Sequence, residues 1–433
     1  MANLIKSVRG TRDLLPPDTA VWNFVETCAR QVFALYNFQE IRTPVFEETQ
    51  LFARAVGEET DIVGKEMFTW TDRGRAESES KGQSLTLRPE NTAGVVRAYI
   101  EHRLWERAGL QKLYYIGPQF RRERPQKGRY RQFYQIGAEV IGPPAAGSES
   151  PVRDAEVLDM LVALLDRVGI QNWTLQLNSV GCANDRPKYN QALREALSGV
   201  VDKMCADCQR RAQNNPLRVF DCKVPDDQPI IEKLPRISDF LDESCRIHFA
   251  EVQRLLRALQ VPFELNERLV RGIDYYEKTA WEFTHGALGA QNAILGGGRY
   301  DGLSENLGGP RAPGVGFAIG EDRFVMALQE GGAAEAMAQR VHAYIAPLGD
   351  GMDAQAAQLA RELRRHDIAV ELGDASFRLK KSLETASRIG ARYVVIVGEN
   401  EVKSDHFALK NLASGEQITV PRAELARRIL HSS

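Results

Sequence analysis

The run FRRERPQKGRYRQF (120–133) sets Arg121, Arg122, Arg124, Lys127, Arg129 and Arg131 against a single acid, Glu123. Guanidinium forks bind phosphate oxygens two at a time and stay charged, so this loop suits the holding of phosphate. A solvated hairpin would carry the same charges, and the loop alone leaves both readings open. A second stretch, LVRGIDYYEKTAWEF (269–283), alternates like a strand while crowding Arg271, Asp274, Tyr275 and Tyr276 into its first half. An arginine beside two tyrosines is out of place in an apolar core and suits a polar small molecule. Aimed at developing negative charge, an arginine is worth about two to three powers of ten in rate.

Three further stretches carry polar or glycine patterns. In GVGFAIGEDRF, Gly314, Gly316, Ala318 and Gly320 share one strand face while Val315, Phe317 and Ile319 share the other. A face of small residues lets a flat ring lie on the backbone, and Asp322 and Arg323 open the helix that follows. AQNAILGGGRYDGL puts three glycines after a strand, ahead of Arg299, Tyr300 and Asp301, which fits close backbone approach to a ligand or simply a turn. In RQFYQIGAEV, Gln135 and Glu139 point to one face of a strand. No phosphate-binding P-loop, G-x-G-x-x-G, G-x-S-x-G or H-E-x-x-H pattern occurs, so dehydrogenase, serine hydrolase and zinc protease readings lose their support. Cys205 and Cys208 form a C-x-x-C with Cys222 beyond, a spacing that can clasp zinc. No fourth ligand is evident, buried free thiols are the simpler account, and no metal site is assigned.

The elements that must position these residues follow from periodicity. Val21, Phe24, Val25, Cys28, Val32 and Leu35 recur at helical spacing over 17–36, and the strand that follows is interrupted by Pro44. MFTWTD and SLTLRPE read as paired strands around a polar tip at 73–83, followed by a helix from Asn91 to about Leu104. QKLYYIGPQF and RQFYQIGAEVIG read as strands flanking the basic loop, 151–168 as a helix and WTLQLNS as a strand. From about 180 to 260 the texture turns to polar helical pieces, a helical insertion, after which strand-like sequence returns. An alanine-rich linker then leads to alternating strands and helices, a compact α/β unit ending in a hairpin turn ASGE and a last helix.

At 433 residues the chain has room for about three domains. Hydrophobic residues at 43% and charged residues at 26% exclude disordered, collagenous and membrane classes. Neither a signal peptide nor a membrane-length apolar run is present, and six cysteines are too sparse for a secreted disulfide framework, so a cytoplasmic protein is expected. A net charge of −2 leaves any nucleic-acid binding to local patches.

TLRPE, FRRERPQKGRYRQF, LVRGIDYY, GGGRYDGL and GVGFAIGEDR occur in this order, and together they resemble the class II aminoacyl-tRNA synthetases, specifically the bacterial histidyl-tRNA synthetases. The resemblance runs from RGTRDLLP to the C-terminal unit. It implies an α/β architecture in five segments. They are an α+β catalytic domain on an antiparallel sheet flanked by helices (1–178 and 260–330), a helical insertion (179–259), a linker (331–338) and an α/β anticodon-binding domain (339–433). It implies ATP-dependent activation of L-histidine to histidyl-adenylate and transfer to the 3' end of tRNA(His), with Mg2+ bridging the phosphates. A catalytically inactive histidine-binding regulatory subunit of ATP phosphoribosyltransferase would share the catalytic fold, but retention of Arg121, Arg271 and Arg323 speaks against it.

By the same resemblance, Arg271 and Arg121 are catalytic, and Arg121, Arg323 and Glu123 bind ATP. Glu90, Thr92, Gln135, Glu139, Arg271, Tyr275, Tyr276 and Tyr300 hold histidine, with Glu139 reading one imidazole nitrogen and Tyr276 the other. Arg124, Gln126, Lys127 and Arg129 meet the tRNA acceptor end, RLKKS (378–382) is a contact of the anticodon domain, and a homodimer forms through the first helix and the strand ending at Pro44. Asn91, Tyr134 and Asp322 depart from residues common at those places in the family.

Overall fold

Alternation of apolar and polar residues builds the centre of the molecule. In the computed structural model, which describes residues 4–57, 60–72, 82–126, 128–289, 292–330 and 341–431, strands are numbered in chain order. They begin with β1 (Gln39–Glu40), β2 (Phe46–Glu48), β3 (Phe68–Asp72), β4 (Gln83–Leu87), β5 (Gln111–Phe120) and β6 (Gln132–Ile141). Next come β7 (Trp173–Ser179), β8 (Glu264–Leu265), β9 (Glu277–His285), β10 (Ala293–Arg299) and β11 (Gly314–Gly320). Lys127, the linker at 331–338 and residues 73–81 of the polar tip lie outside the described residues.

Among the described residues an eight-stranded sheet runs in the order β1-β5-β6-β11-β10-β9-β7-β8. Its long central pairs, from β5 through β6, β11, β10 and β9 to β7, are antiparallel. Pro44 splits the expected early strand. Gln39–Glu40 pairs in parallel with β5, whereas Phe46–Glu48 joins β4 and β3 in a separate three-stranded sheet.

One face of the large sheet packs Ile136, Ala138, Val315, Phe317, Ile319, Trp281 and Phe283 against the helices Asp18–Leu35, Pro151–Val168 and Glu321–Glu330. The helix Glu243–Ala258 buries Val252 and Leu256 in the same core. Burial on this scale, at roughly 25 cal/mol per Å2 of apolar surface, is what holds the sheet flat against its helices. The helical pieces between β7 and that last helix form a small core of their own around Tyr189, Leu193, Leu197, Phe220 and Ile231.

Chain contacts divide the molecule into Met1–Met337 and Ala338–Ser433. The second unit carries β12 (Ala343–Pro347), β13 (Val370–Leu372), β14 (Tyr393–Val397), β15 (His406–Asn411) and β16 (Gln417–Pro421). The order β13-β12-β14-β15-β16 is parallel around β12 and antiparallel beyond β14. Helices cover both faces, with Leu359 and Leu363 packing on one and Ala386 on the other.

Two local expectations are corrected. LVRGIDYY is irregular, and the strand starts only at Glu277. Its backbone is drawn out of the sheet, because the Asp274 N–H donates to Val56 O at 3.2 Å and Arg186 donates to Asp274 O at 3.1 Å. The three glycines of GGGRYDGL lie inside β10, not after it.

Candidate active site

The second face of the sheet is where the polar residues converge, and strand register explains how. Tyr115, Gly137, Ala318, Gly296 and Glu282 form one row across five strands. The neighbouring row holds Glu139, Gly316, Gly298 and Ala280, and Gln135 lies opposite Gly320. Side chains of the site therefore alternate with glycines. A Cβ on Gly296 would stand 2.5 Å from the Arg271 guanidinium, and one on Gly298 would stand 2.6 Å from the Tyr276 ring. Cβ atoms on Gly137, Gly314 and Gly316 would overlap Tyr115, Tyr300 and Glu139. The glycines are where the pleat must yield room for a second layer of side chains. This also amends the expectation for GVGFAIG, since Gly314 and Gly316 are taken up by the protein's own Tyr300 and Glu139. Only Ala318 and Gly320 remain at the cavity for a flat ring.

That cavity measures about 230 Å3. Glu90, Thr92, Gln135, Tyr275 and Tyr276 line it together with Arg121, Glu123, Arg129, Arg271 and Arg323, and the Arg271 guanidinium lies over the Tyr276 ring. Glu139 and Tyr300 lie behind the wall, and Arg124 and Gln126 are exposed on the basic loop away from it. Sequence reasoning missed Glu282, which accepts from Arg271 Nη1 at 2.8 Å. Its one signal was a glutamate between Trp281 and Phe283 in a strand. Arg12 was also missed. It donates to Asp322 Oδ1 at 2.6 Å and stacks over Tyr130 at 4.4 Å, tying the N-terminal segment to the helix that carries Arg323.

Each functional group is set by its own environment. Glu90 accepts the Thr92 and Ala93 N–H groups at 2.7 and 3.0 Å, satisfying donors left open at the start of the helix Thr92–Glu101. Burial still holds its carboxyl above the ordinary range. Glu139 is fully buried and accepts from the hydroxyls of Thr92 at 2.6 Å and Tyr300 at 2.7 Å. Burial, only partly offset by those hydroxyls, pushes it up to about 8. Burial likewise raises Tyr275, Tyr276 and Tyr300, so all three remain neutral hydroxyls. Arg121 donates Nε to Pro89 O at 2.9 Å and lies over the Phe133 ring, which aims its other nitrogens at the cavity. Burial and then the charge of Arg129 disfavour the Arg323 cation, as expected of a cation that awaits an anion. The buried Gln135 Oε1 and Arg271 Nε have no hydrogen-bond partner among the described residues.

The departures noted in the sequence have local partners. Asp322 is held by Arg12, Asn91 accepts from Thr43 Oγ1 at 2.7 Å, and Tyr134 packs edge-on against Trp22. A larger cavity of about 820 Å3 lies along Ile41–Pro44, Glu47 and Arg97, apart from this cluster.

The family model described as histidyl-tRNA synthetase matches residues 10–323, and the model described as anticodon binding domain matches 342–431. The histidine--tRNA ligase of Koribacter versatilis is 68% identical over 98% of this chain and 95% of its own length. That of Solibacter usitatus is 56% identical over 98% and 99%. The crystal structure of apo S. aureus histidyl-tRNA synthetase superposes with a TM-score of 0.78 at 35% identity, covering 98% of this chain and 100% of that one. With four arginines converging on a cavity floored by buried carboxyls and tyrosines, and with these full-length likenesses, the chain belongs to the histidyl-tRNA synthetase family.

Proposed function

We propose that the chain activates L-histidine with ATP and transfers it to the terminal ribose of tRNA(His). The observation that carries this reading is the convergence of Arg121, Arg271 and Arg323 on one cavity beside Glu90, Gln135 and Tyr276. In activation, a carboxylate oxygen of histidine bonds to the α-phosphorus while the bond to pyrophosphate breaks. The step needs positioning and charge stabilisation more than a strong base. Arg271, with its free Nε, contacts the histidine carboxylate and the α-phosphate, and Arg121 holds that phosphate from the opposite side. Arg323 lies on the adenine and reaches the outer phosphates, with Glu123 nearby. Mg2+ would shield the phosphate charge, and of the lining carboxylates Glu123 and Glu282, which are neither given to the α-amino group nor held by Arg12, would hold it.

Glu90 and Thr92 hold the α-amino group. Tyr276 and Gln135 border the imidazole, and Glu139 accepts its N–H through lone pairs that the Thr92 and Tyr300 hydroxyls leave over. A pocket that hydrogen-bonds both ring nitrogens rejects analogues without them by about four to five powers of ten. Arg124, Gln126, Lys127 and Arg129 meet the acceptor end of tRNA, with the salt dependence of phosphate contacts. The second unit, around RLKKS, reads unpaired anticodon bases.

We further infer a homodimer through the helix Asp18–Leu35 and the Ile41–Pro44 segment, supported by the large cavity there and by the exposed Val45 and Phe46. The division into catalytic halves, insertion, linker and anticodon domain, and a cytoplasmic site of action, complete the proposal. Among the described residues no helix is long and apolar enough to cross a membrane.

The test is ATP–pyrophosphate exchange on the purified chain with each standard amino acid in turn. Exchange with histidine alone is expected. Histidine binding without exchange would favour the regulatory reading, and exchange with a different amino acid would overturn the roles given to Glu139 and Tyr276.

A further inference from the structure

The C-x-x-C left unassigned by the sequence gains its fourth donor in three dimensions. Cys205 stands just before the helix Ala206–Asn214, Cys208 is in its first turn, and Cys222 closes the short helical run Pro216–Asp221. The sulfurs of these three and a carboxylate oxygen of Asp227 all lie within 4.8 Å of one another. Cys205 Sγ and Cys222 Sγ are 3.9 Å apart. A tetrahedron built on zinc–sulfur bonds of about 2.3 Å has sulfur–sulfur edges of about 3.8 Å. Asp227 Oδ2 is 3.1 Å from Cys222 Sγ, the distance at which the thiol donates to it. The Cys205 N–H donates to both Asp227 oxygens, at 3.1 and 3.3 Å, which aims the carboxylate into the sulfur triangle and leaves lone pairs on each oxygen.

We propose that Cys205, Cys208, Cys222 and Asp227 form a structural Zn2+ site in the helical insertion. Three soft sulfurs and one carboxylate around a closed, four-coordinate position suit zinc, whereas iron–sulfur clusters take four cysteines as a rule. Each thiol loses its proton to solvent as the metal binds. Cys208 and Cys222 are buried and Cys205 is partly so, and none is in a disulfide.

A second group, Cys182, Asp185, Asp242 and Cys245, does not make the same case. It has two sulfurs, and its carboxylates are committed to capping. Asp242 accepts the Cys245 N–H at 2.7 Å, while Asp185 accepts from Cys182 and Asp242 at 2.9 and 2.8 Å.

The zinc would brace the active site from outside it. Between Cys208 and Cys222 run Asn215, which donates to Asp274 at 3.4 Å, and Arg218, 3.8 Å from the same carboxylate. Asp274 stands three residues after Arg271, in the irregular segment that the sheet does not hold. Metal binding at one end of the 205–222 stretch thus steadies the residues that prop the Arg271 loop.

Metal analysis of the full chain, purified without chelator and again after zinc reconstitution, tests the site. One zinc per chain is expected, lost in Cys222→Ser and kept in Cys245→Ser. Asp227→Asn should weaken zinc binding by at least the roughly 10–100-fold that losing an outer-shell partner of a ligand costs. Reconstitution with Co2+ should give tetrahedral cobalt bands and intense thiolate-to-cobalt absorption, a readout that needs no variant to fold. A wild-type chain that binds no zinc after reconstitution, or cobalt without thiolate absorption, overturns the proposal. So does Cys222→Ser with undiminished zinc.

Discussion

Glu139 and Asp154 are both closed off from solvent, yet the protein answers the two burials differently. Asp154, on the helix Pro151–Val168, meets Arg299 at the end of β10 as a close ion pair and His248 at 3.3 Å. Burial opposes its charge, but Arg299 and then His248 more than offset this and hold the carboxyl well below the usual range. Glu139 receives only hydroxyls, and its proton is retained up to about 8. The arginines divide in the same way. Arg299 also donates to Asp301, Ser148 O and Ser150 O, whereas Arg271 keeps one nitrogen unpartnered. Where a charge holds elements together, the fold supplies its full set of partners. Where a charge is to meet a ligand, the set is left incomplete.

Substitutions on the two sides should therefore fail in different measurements. The largest expected effect is on activity. Arg271→Ala should slow histidine-dependent exchange by about two to three powers of ten, while urea unfolding shifts by about 1 kcal/mol or less, the net worth of a hydrogen bond. Normal exchange in this variant would remove Arg271 from the mechanism and break the contrast. Next is Asp154→Ala, which strands the buried Arg299 and should cost about 3–5 kcal/mol of stability in the same unfolding measurement. The folded fraction should still exchange pyrophosphate. Because the Asp154 carboxyl is depressed in the folded state, its contribution is complete above about pH 4 and is lost as pH falls through the folded value.

Smallest is a pH effect at Glu139, with the opposite sign. Its folded carboxyl is raised, so the stabilisation it gives is fully present below the unfolded value near pH 4 and disappears as pH rises toward about 8. Glu139→Gln, neutral throughout, should gain about 2 kcal/mol on wild type between pH 5 and about pH 6.5, one and a half pH units on the 1.4 kcal/mol per tenfold scale of proton linkage. Parallel profiles for the two chains would mean that Glu139 is ionised in the folded protein and that the comparison with Asp154 fails.

Much of this is legible in the amino-acid sequence. The helix Asp18–Leu35, the β5–β6 pair and the two faces of GVGFAIG follow from spacing alone, because one face of each must be buried and period reports that face directly. The motifs carried Arg121, Arg271, Arg323 and Glu90 to one cavity. What escaped is what depends on partners distant in sequence. Nothing local to Asp154, His248 or Arg299 reveals that they meet, nor does Asp227 announce itself as a neighbour of three cysteines. LVRGIDYY alternates like a strand, but tertiary hydrogen bonds, those to Val56 and Arg186 among them, hold it outside the sheet.

The glycines beneath the site have a consequence for anyone seeking a more heat-resistant form. Filling strand glycines with larger residues is a common route to a higher melting temperature, because glycine gives the unfolded chain extra freedom. At Gly137, Gly296, Gly298 and Gly316 that route is closed, since any added methyl group collides with Tyr115, Arg271, Tyr276 or Glu139. The binding face is thus held below the rigidity that its sheet could otherwise reach. Gly64, in the helical turn Ile62–Glu66, is different: an added Cβ there would meet nothing within 4 Å.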